Sequence, residues 1–89
     1  MIAGEGKFRP DYAIAPGATI TEALEECDIS KRELGLRLGM NEIMLSDMIR
    51  GDRPITGETA RGLELALGIH FRFWLNAEKR YREHLARIQ

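Results

Sequence analysis

Eighty-nine residues, 30% of them charged and 44% apolar, with a net charge of −1, exclude a wholly disordered chain and give no global basic signal. One cysteine excludes an intrachain disulfide, and no apolar run reaches the length of a membrane span. The first six residues also lack the apolar core of a signal peptide, so a cytoplasmic protein without a membrane partner is the expectation.

Residues 1 to about 15, rich in glycine and interrupted by Pro10, carry no sustained helical period and read as an extended or mobile arm. On it Phe8, Tyr12 and Ile14 alternate with other residues, a pattern that fits docking on a partner or a sheet edge as well as a disordered terminus. Pro16-Gly17 then breaks the chain before Thr19-Ile20-Thr21-Glu22, which has the form of a capping box. Ile20, Ala23, Leu24 and Cys27 follow at helical spacing. A first helix is predicted near 18–27, with Cys27 as a small buried apolar side chain. This part of the chain leans acidic, with Glu5, Asp11, Glu22, Glu25, Glu26 and Asp28 against Lys7 and Arg9.

Ser30 with Glu33 is a second capping box, the Ser30 oxygen accepting from the amide of residue 33 while Glu33 reaches back, and Ile29 and Leu34 stand at staple positions. A helix therefore begins near Lys31. Gly39 takes the left-handed conformation that ends it, and Asn41 caps the next, which runs to about Arg50 and stops at Gly51. In that helix Leu45, Met48 and Ile49 fall inward, while Glu42, Ile43, Ser46, Asp47 and Arg50 point away and Met44 stands at the boundary. A small residue at 35, glycine at 39, an aliphatic at 45 and methionine at 48 give the spacing of a DNA-binding helix-turn-helix. Helix pairs that touch no nucleic acid also show this spacing.

Asp52-Arg53-Pro54 makes a turn, because the residue before proline disfavours helix. Thr56 caps a fourth helix whose Ala60, Leu63, Ala66 and Leu67 face the core and which ends at Gly68. A last helix from about Phe71 carries Trp74, Ala77, Glu78, Tyr81, Leu85 and Ile88 in a stripe. Its first half is predicted to close the core. Its second half is more apolar on one side than a free terminal helix needs, so Trp74, Tyr81, Leu85 and Ile88 are read as a contact between two copies. No nucleophile, base and orienting group cluster at motif spacing, so no catalytic residue is assigned and an enzyme is disfavoured.

Taken together, Pro16-Gly17 through Leu24-Glu25-Glu26, Ser30-Lys31-Arg32-Glu33-Leu34, Leu38-Gly39, Gly51-Asp52-Arg53-Pro54-Ile55-Thr56, Glu58-Thr59-Ala60, Leu67-Gly68-Ile69 and Phe73-Trp74-Leu75-Asn76 span about three quarters of the chain. In this order they resemble the HigA-like addiction-module antitoxins of the XRE-type helix-turn-helix group. The resemblance implies an all-α fold: a five-helix, lambda-repressor-like helix-turn-helix domain over 16–89 with an extended N-terminal arm over 1–15. It also implies a homodimer that binds palindromic operator DNA, represses its own operon and neutralises a cognate RelE/HigB-like RNase toxin. Longer relatives add a metallopeptidase-like domain with a His-Glu-x-x-His helix. Here His70 and His84 are too far apart for that motif, so neither metal nor cofactor is expected.

Carried onto this sequence, the DNA surface is Lys31, Arg32, Asn41, Glu42, Ile43, Met44, Ser46, Asp47, Arg50 and Arg53. Lys31, Arg32 and Arg53 are placed for phosphate. Asn41 and Ser46 are placed for phosphate or base edges, and Ile43 or Met44 for a thymine methyl group. Where relatives often carry basic or hydroxyl residues, this chain has Glu42, Ile43, Met44 and Asp47, so two carboxylates face the groove. They oppose binding unless they accept from cytosine amines or pair with Arg50, and the reading taken is that Glu42 favours the helix N-terminus while Asp47 sits between phosphates and bases. The alternatives are a toxin- or partner-binding module with weak or lost DNA affinity, consistent with these carboxylates, and a phage or plasmid repressor without a toxin, which no residue here excludes.

Overall fold

The structure is a computed structural model that describes residues 15–88, and in these residues the chain forms five α-helices and no strand. They are α1 (Gly17–Cys27), α2 (Lys31–Leu38), α3 (Glu42–Arg50), α4 (Gly57–Leu67) and α5 (Phe71–Ile88). The arm expected over 1–15 lies, apart from Ala15, outside the described residues.

Local chemistry fixes three of the helix starts. Ser30 accepts from the Glu33 amide at 3.0 Å, Asn41 from the Met44 amide at 2.8 Å and Thr56 from the Thr59 amide at 3.3 Å. Each bond satisfies one of the donors a helix leaves unpaired at its first turn. The reciprocal half of the Ser30 box is not made, because the Glu33 carboxylate turns along the helix to Arg37 at 3.1 Å. The expected box at Thr19 does not form either. Pro16, whose ring holds φ at −60°, begins the turn, and its carbonyl accepts from the Thr19 amide at 3.0 Å. Thr19 is thereby inside the first turn of α1, and that helix has no side-chain cap.

The core gathers one stripe from each helix: Ile20 and Leu24, Leu34, Leu45 and Met48, Ala60 and Leu63, and Trp74, with Ile55 from the turn before α4. Burying a Leu, Ile or Met side chain of this kind contributes about 1.5–3 kcal/mol before the entropy of ordering is subtracted. Within this packing α4 lies on α5, α1 on α3, and α2 on both α3 and α4. Gly35 makes room for the turn between the paired helices: a Cβ there would lie 2.8 Å from the Met40 carbonyl oxygen, while the Leu45 side chain of α3 is at ordinary contact distance, 3.8 Å.

Two stripe residues depart from expectation. Cys27 is exposed, its thiol 3.9 Å from the Leu67 carbonyl oxygen, because the chain leaves the core at the last turn of α1. Trp74, read from sequence as part of an interface between copies, is 0% exposed. Its indole Nε1 donates to the Ile69 carbonyl oxygen at 3.1 Å, so it fills this protomer's own core and offers no surface to a second one. Glu78 is also buried, held by Arg82 with Nε 2.6 Å from Oε2.

Candidate nucleic-acid interface

The outward face of α3 follows from its caps. With Asn41 closing its start, Gly51 ending it at φ 92°, and Leu45 and Met48 each 1% exposed, only one rotation of the helix is left. Glu42, Ile43 and Arg50 are exposed and Ser46 and Asp47 half-buried, while Met44 is half-buried at the edge. Ile43, at 73% exposure, is a large apolar side chain that none of the described residues covers.

Two concavities flank this face. One, between α2 and the start of α3, is lined by Lys31, Arg32, Leu36, Asn41 and Glu42, so the two basic residues at the start of α2 and the first turn of α3 share one cleft. Lys31 and Arg32 stand in the first turn of their helix, where the helix dipole is positive and a phosphate is favoured. The second, between α2, α3 and α4, is lined by Met44 and Arg53 together with Arg37, Thr56, Thr59 and Arg61. Arg53 thus lines a different concavity from Lys31 and Arg32.

Sequence reasoning passed over Arg37 and Arg61. Arg37 stands one turn after Glu33, a spacing that marks it as that carboxylate's partner. Arg61 lies over the Phe71 ring, 4.6 Å from its centroid, a pairing between two helices that no periodic pattern announces.

The acidic side chains are not equivalent. Arg50 Nη2 donates to Asp47 Oδ1, and Arg50 Nε to Asp52 Oδ2 at 3.3 Å. The Asp47 carbonyl oxygen also accepts from the amides of Asp52 and Arg53, at 2.8 and 3.2 Å, which fixes the turn that carries Asp52. Glu42 has no ion pair among the described residues and sits in the first turn of α3, where the dipole favours it. Among the described residues no group of three His, Cys, Asp or Glu side chains is arranged to hold a metal ion, and no helix is long and apolar enough to cross a membrane.

At the end of α3, Gly51 meets α5. A Cβ on Gly51 would stand 2.5 Å from the Tyr81 phenol oxygen, so the ring of Tyr81 is packed against the helix stop. Tyr81, expected at a contact between copies, is in this way partly committed inside the protomer, whereas Leu85 is half-buried and Ile88 is 40% exposed.

A family model described as Helix-turn-helix matches residues 20–74. Among solved structures the chain is similar to an addiction module antidote protein of a HigA family from Coxiella burnetii, at 31% identity and a TM-score of 0.73 over 83% of this chain and 82% of that one. It is similar also to Pseudomonas aeruginosa antitoxin HigA with the higBA promoter, at 29% identity and a TM-score of 0.73 over 84% and 83% of the two chains. A third is a Pseudomonas aeruginosa protein in complex with its operator DNA of 18 bp, at 29% identity and a TM-score of 0.73 over 84% and 82%. No curated protein matches the chain in sequence.

Proposed function

Because the chain belongs to the helix-turn-helix family and, within it, to the HigA-type addiction-module antidotes, we propose that it is a sequence-specific DNA-binding antitoxin without enzymatic activity. In this reading it binds operator DNA as a homodimer, represses its own operon and neutralises a RelE/HigB-like RNase toxin. The observation that carries the DNA half is the uncovered face of α3, with Ile43 73% exposed between two concavities that hold Lys31 and Arg32 on one side and Arg53 on the other. Relatives solved with a higBA promoter and with operator DNA support it.

On this geometry α3 enters the major groove by its first turn, Lys31, Arg32 and Arg53 meet phosphates on either side, and the outward residues between them reach base edges. Fluorescence anisotropy of the full chain on duplexes from its own upstream region, at low and moderate salt, tests this directly. Binding confined to one palindromic segment is expected; equal or absent binding to all segments overturns it. Co-expression with a RelE/HigB-like RNase toxin encoded in a neighbouring reading frame tests the antitoxin half: growth restored when this chain is present is expected, and the absence of any such frame or of rescue overturns it.

The carboxylates of Glu42, Asp47 and Asp52 around α3 favour a second reading, a toxin-binding module with weakened operator affinity. Growth rescue without any operator binding would select it.

A further inference from the structure

We infer, on the operator-binding reading above, that base selection rests on Glu42 and Ile43, which read a cytosine amine and a neighbouring thymine methyl group, while Arg50 is held out of base reading by Asp47 and Asp52. The outward face of α3 offers few groups for the task, and most are committed. Reading guanine takes two forked donors from an arginine onto N7 and O6. Arg50 already gives Nη2 to Asp47 and Nε to Asp52. Swinging it to a base would leave the Asp47 carboxylate without its counter-ion in a groove walled by phosphates.

Asn41 is limited in the same way. Bidentate recognition of adenine needs both the carbonyl and the amino group of an asparagine, and the Asn41 carbonyl is spent on the Met44 amide at 2.8 Å. Met44 turns into the lateral concavity with Leu38, Arg53 and Thr59. Ser46, one turn further along, is half-buried, so the exposed side chains that remain are Glu42 and Ile43, one a carboxylate with no ion pair among the described residues and the other an apolar side chain.

Their chemistry then names the bases. A carboxylate only accepts, and in the major groove the amines of cytosine and adenine are the donors. Adenine sets its N7 acceptor beside the amine and opposes a second carboxylate oxygen; cytosine has no such acceptor on that edge. The thymine methyl is the one apolar group the major groove displays, and Ile43 is the apolar side chain on this face. Consecutive residues rise about 1.5 Å along a helix and base pairs about 3.4 Å along the duplex, so the two bases lie within a step or two of each other.

The test is selection from a random-duplex library at low ionic strength with the full chain and with Glu42→Gln, Ile43→Ala and Arg50→Gln, each first shown by circular dichroism to keep its helix content. The wild type should enrich half-sites holding cytosine and thymine within two steps. Glu42→Gln should relax the cytosine preference by roughly tenfold. Replacing the selected thymine by deoxyuridine should weaken the wild type by about fourfold, as loss of one buried methyl group implies, and leave Ile43→Ala unaffected. Arg50→Gln should keep the same preferred sequence. A guanine preference that disappears in Arg50→Gln, or a wild type indifferent to deoxyuridine, overturns the assignment and leaves operator binding standing. No enriched sequence at all overturns operator binding itself.

Discussion

The phenol oxygen of Tyr81 occupies the space beside Gly51 that any other residue's Cβ would need, 2.5 Å from where that atom would stand. Gly51 is also left-handed, at φ 92°. Two constraints therefore meet at the residue that ends the candidate recognition helix. Gly51→Ala is expected to destabilise the fold by about 2 kcal/mol, lowering the melting temperature by roughly 10 °C. In a Tyr81→Ala background the steric part vanishes and about half of the penalty remains. A double-mutant cycle by chemical denaturation measures the difference, and additive effects would show that the two residues do not press on each other.

Asn41 has two duties that a single substitution separates. Its side chain caps α3 and it lines the cleft with Lys31 and Arg32. Asp caps as well as Asn does, so Asn41→Asp should hold stability within about 0.5 kcal/mol. The added negative charge should weaken DNA binding by roughly fivefold at low salt, a penalty that shrinks as salt rises. Unchanged affinity would place Asn41 away from the duplex.

Such caps were legible in sequence because the chemistry is local: Ser30, Asn41 and Thr56 each find a partner three residues on. Thr19 has the same sequence form and fails because Pro16 sets the turn earlier. Helical spacing puts the stripe of the last helix on one face, yet periodicity does not say where a neighbour stops covering it, and Trp74 on that stripe is core and not interface. Contacts between distant segments leave no periodic trace: Tyr81 on Gly51, and Arg61 over Phe71, had to be seen in space. Asp47 and Arg50 have the i,i+3 spacing of a helix-surface pair, while the second carboxylate, Asp52, comes from the turn and follows no helical period.

Lys31, Arg32 and Arg53 are exposed on the two sides of α3. If each meets a phosphate, replacement by alanine should weaken binding alike on preferred and random duplexes. It should also reduce the slope of log affinity against log salt by about 0.9 per residue. Anisotropy titrations across a salt series check this residue by residue, and a variant with the wild-type slope is thereby removed from the phosphate set.

Glu78 reaches into the protein and, among the described residues, pairs with Arg82, its side chain 11% exposed against 39% for the arginine. The arginine's access to water moderates what the pair contributes. Glu78→Ala should therefore cost about 1–2 kcal/mol, less than the breaking of a fully buried pair. Replacing Arg82 should cost at least as much, since it leaves a buried carboxylate alone. Thermal denaturation of both single variants tests the order.

The second half of α5 is the proposed meeting surface of two copies, and the packing narrows which residues should carry it. Trp74 has no exposed surface and Tyr81 holds the stop of α3, so Leu85 and Ile88 remain as the apolar groups on that stretch able to face a partner. Neither is needed for the protomer's core. Leu85→Glu with Ile88→Glu should therefore yield a folded monomer by sedimentation while keeping its helical circular dichroism. For the wild type the melting temperature should rise with protein concentration, because association stabilises by mass action; for the double variant it should not. On DNA the monomer should still protect one half-site, with α3 unchanged, but lose the tight occupancy of a palindrome. A double variant that sediments as a dimer would move the subunit contact to another face of the molecule.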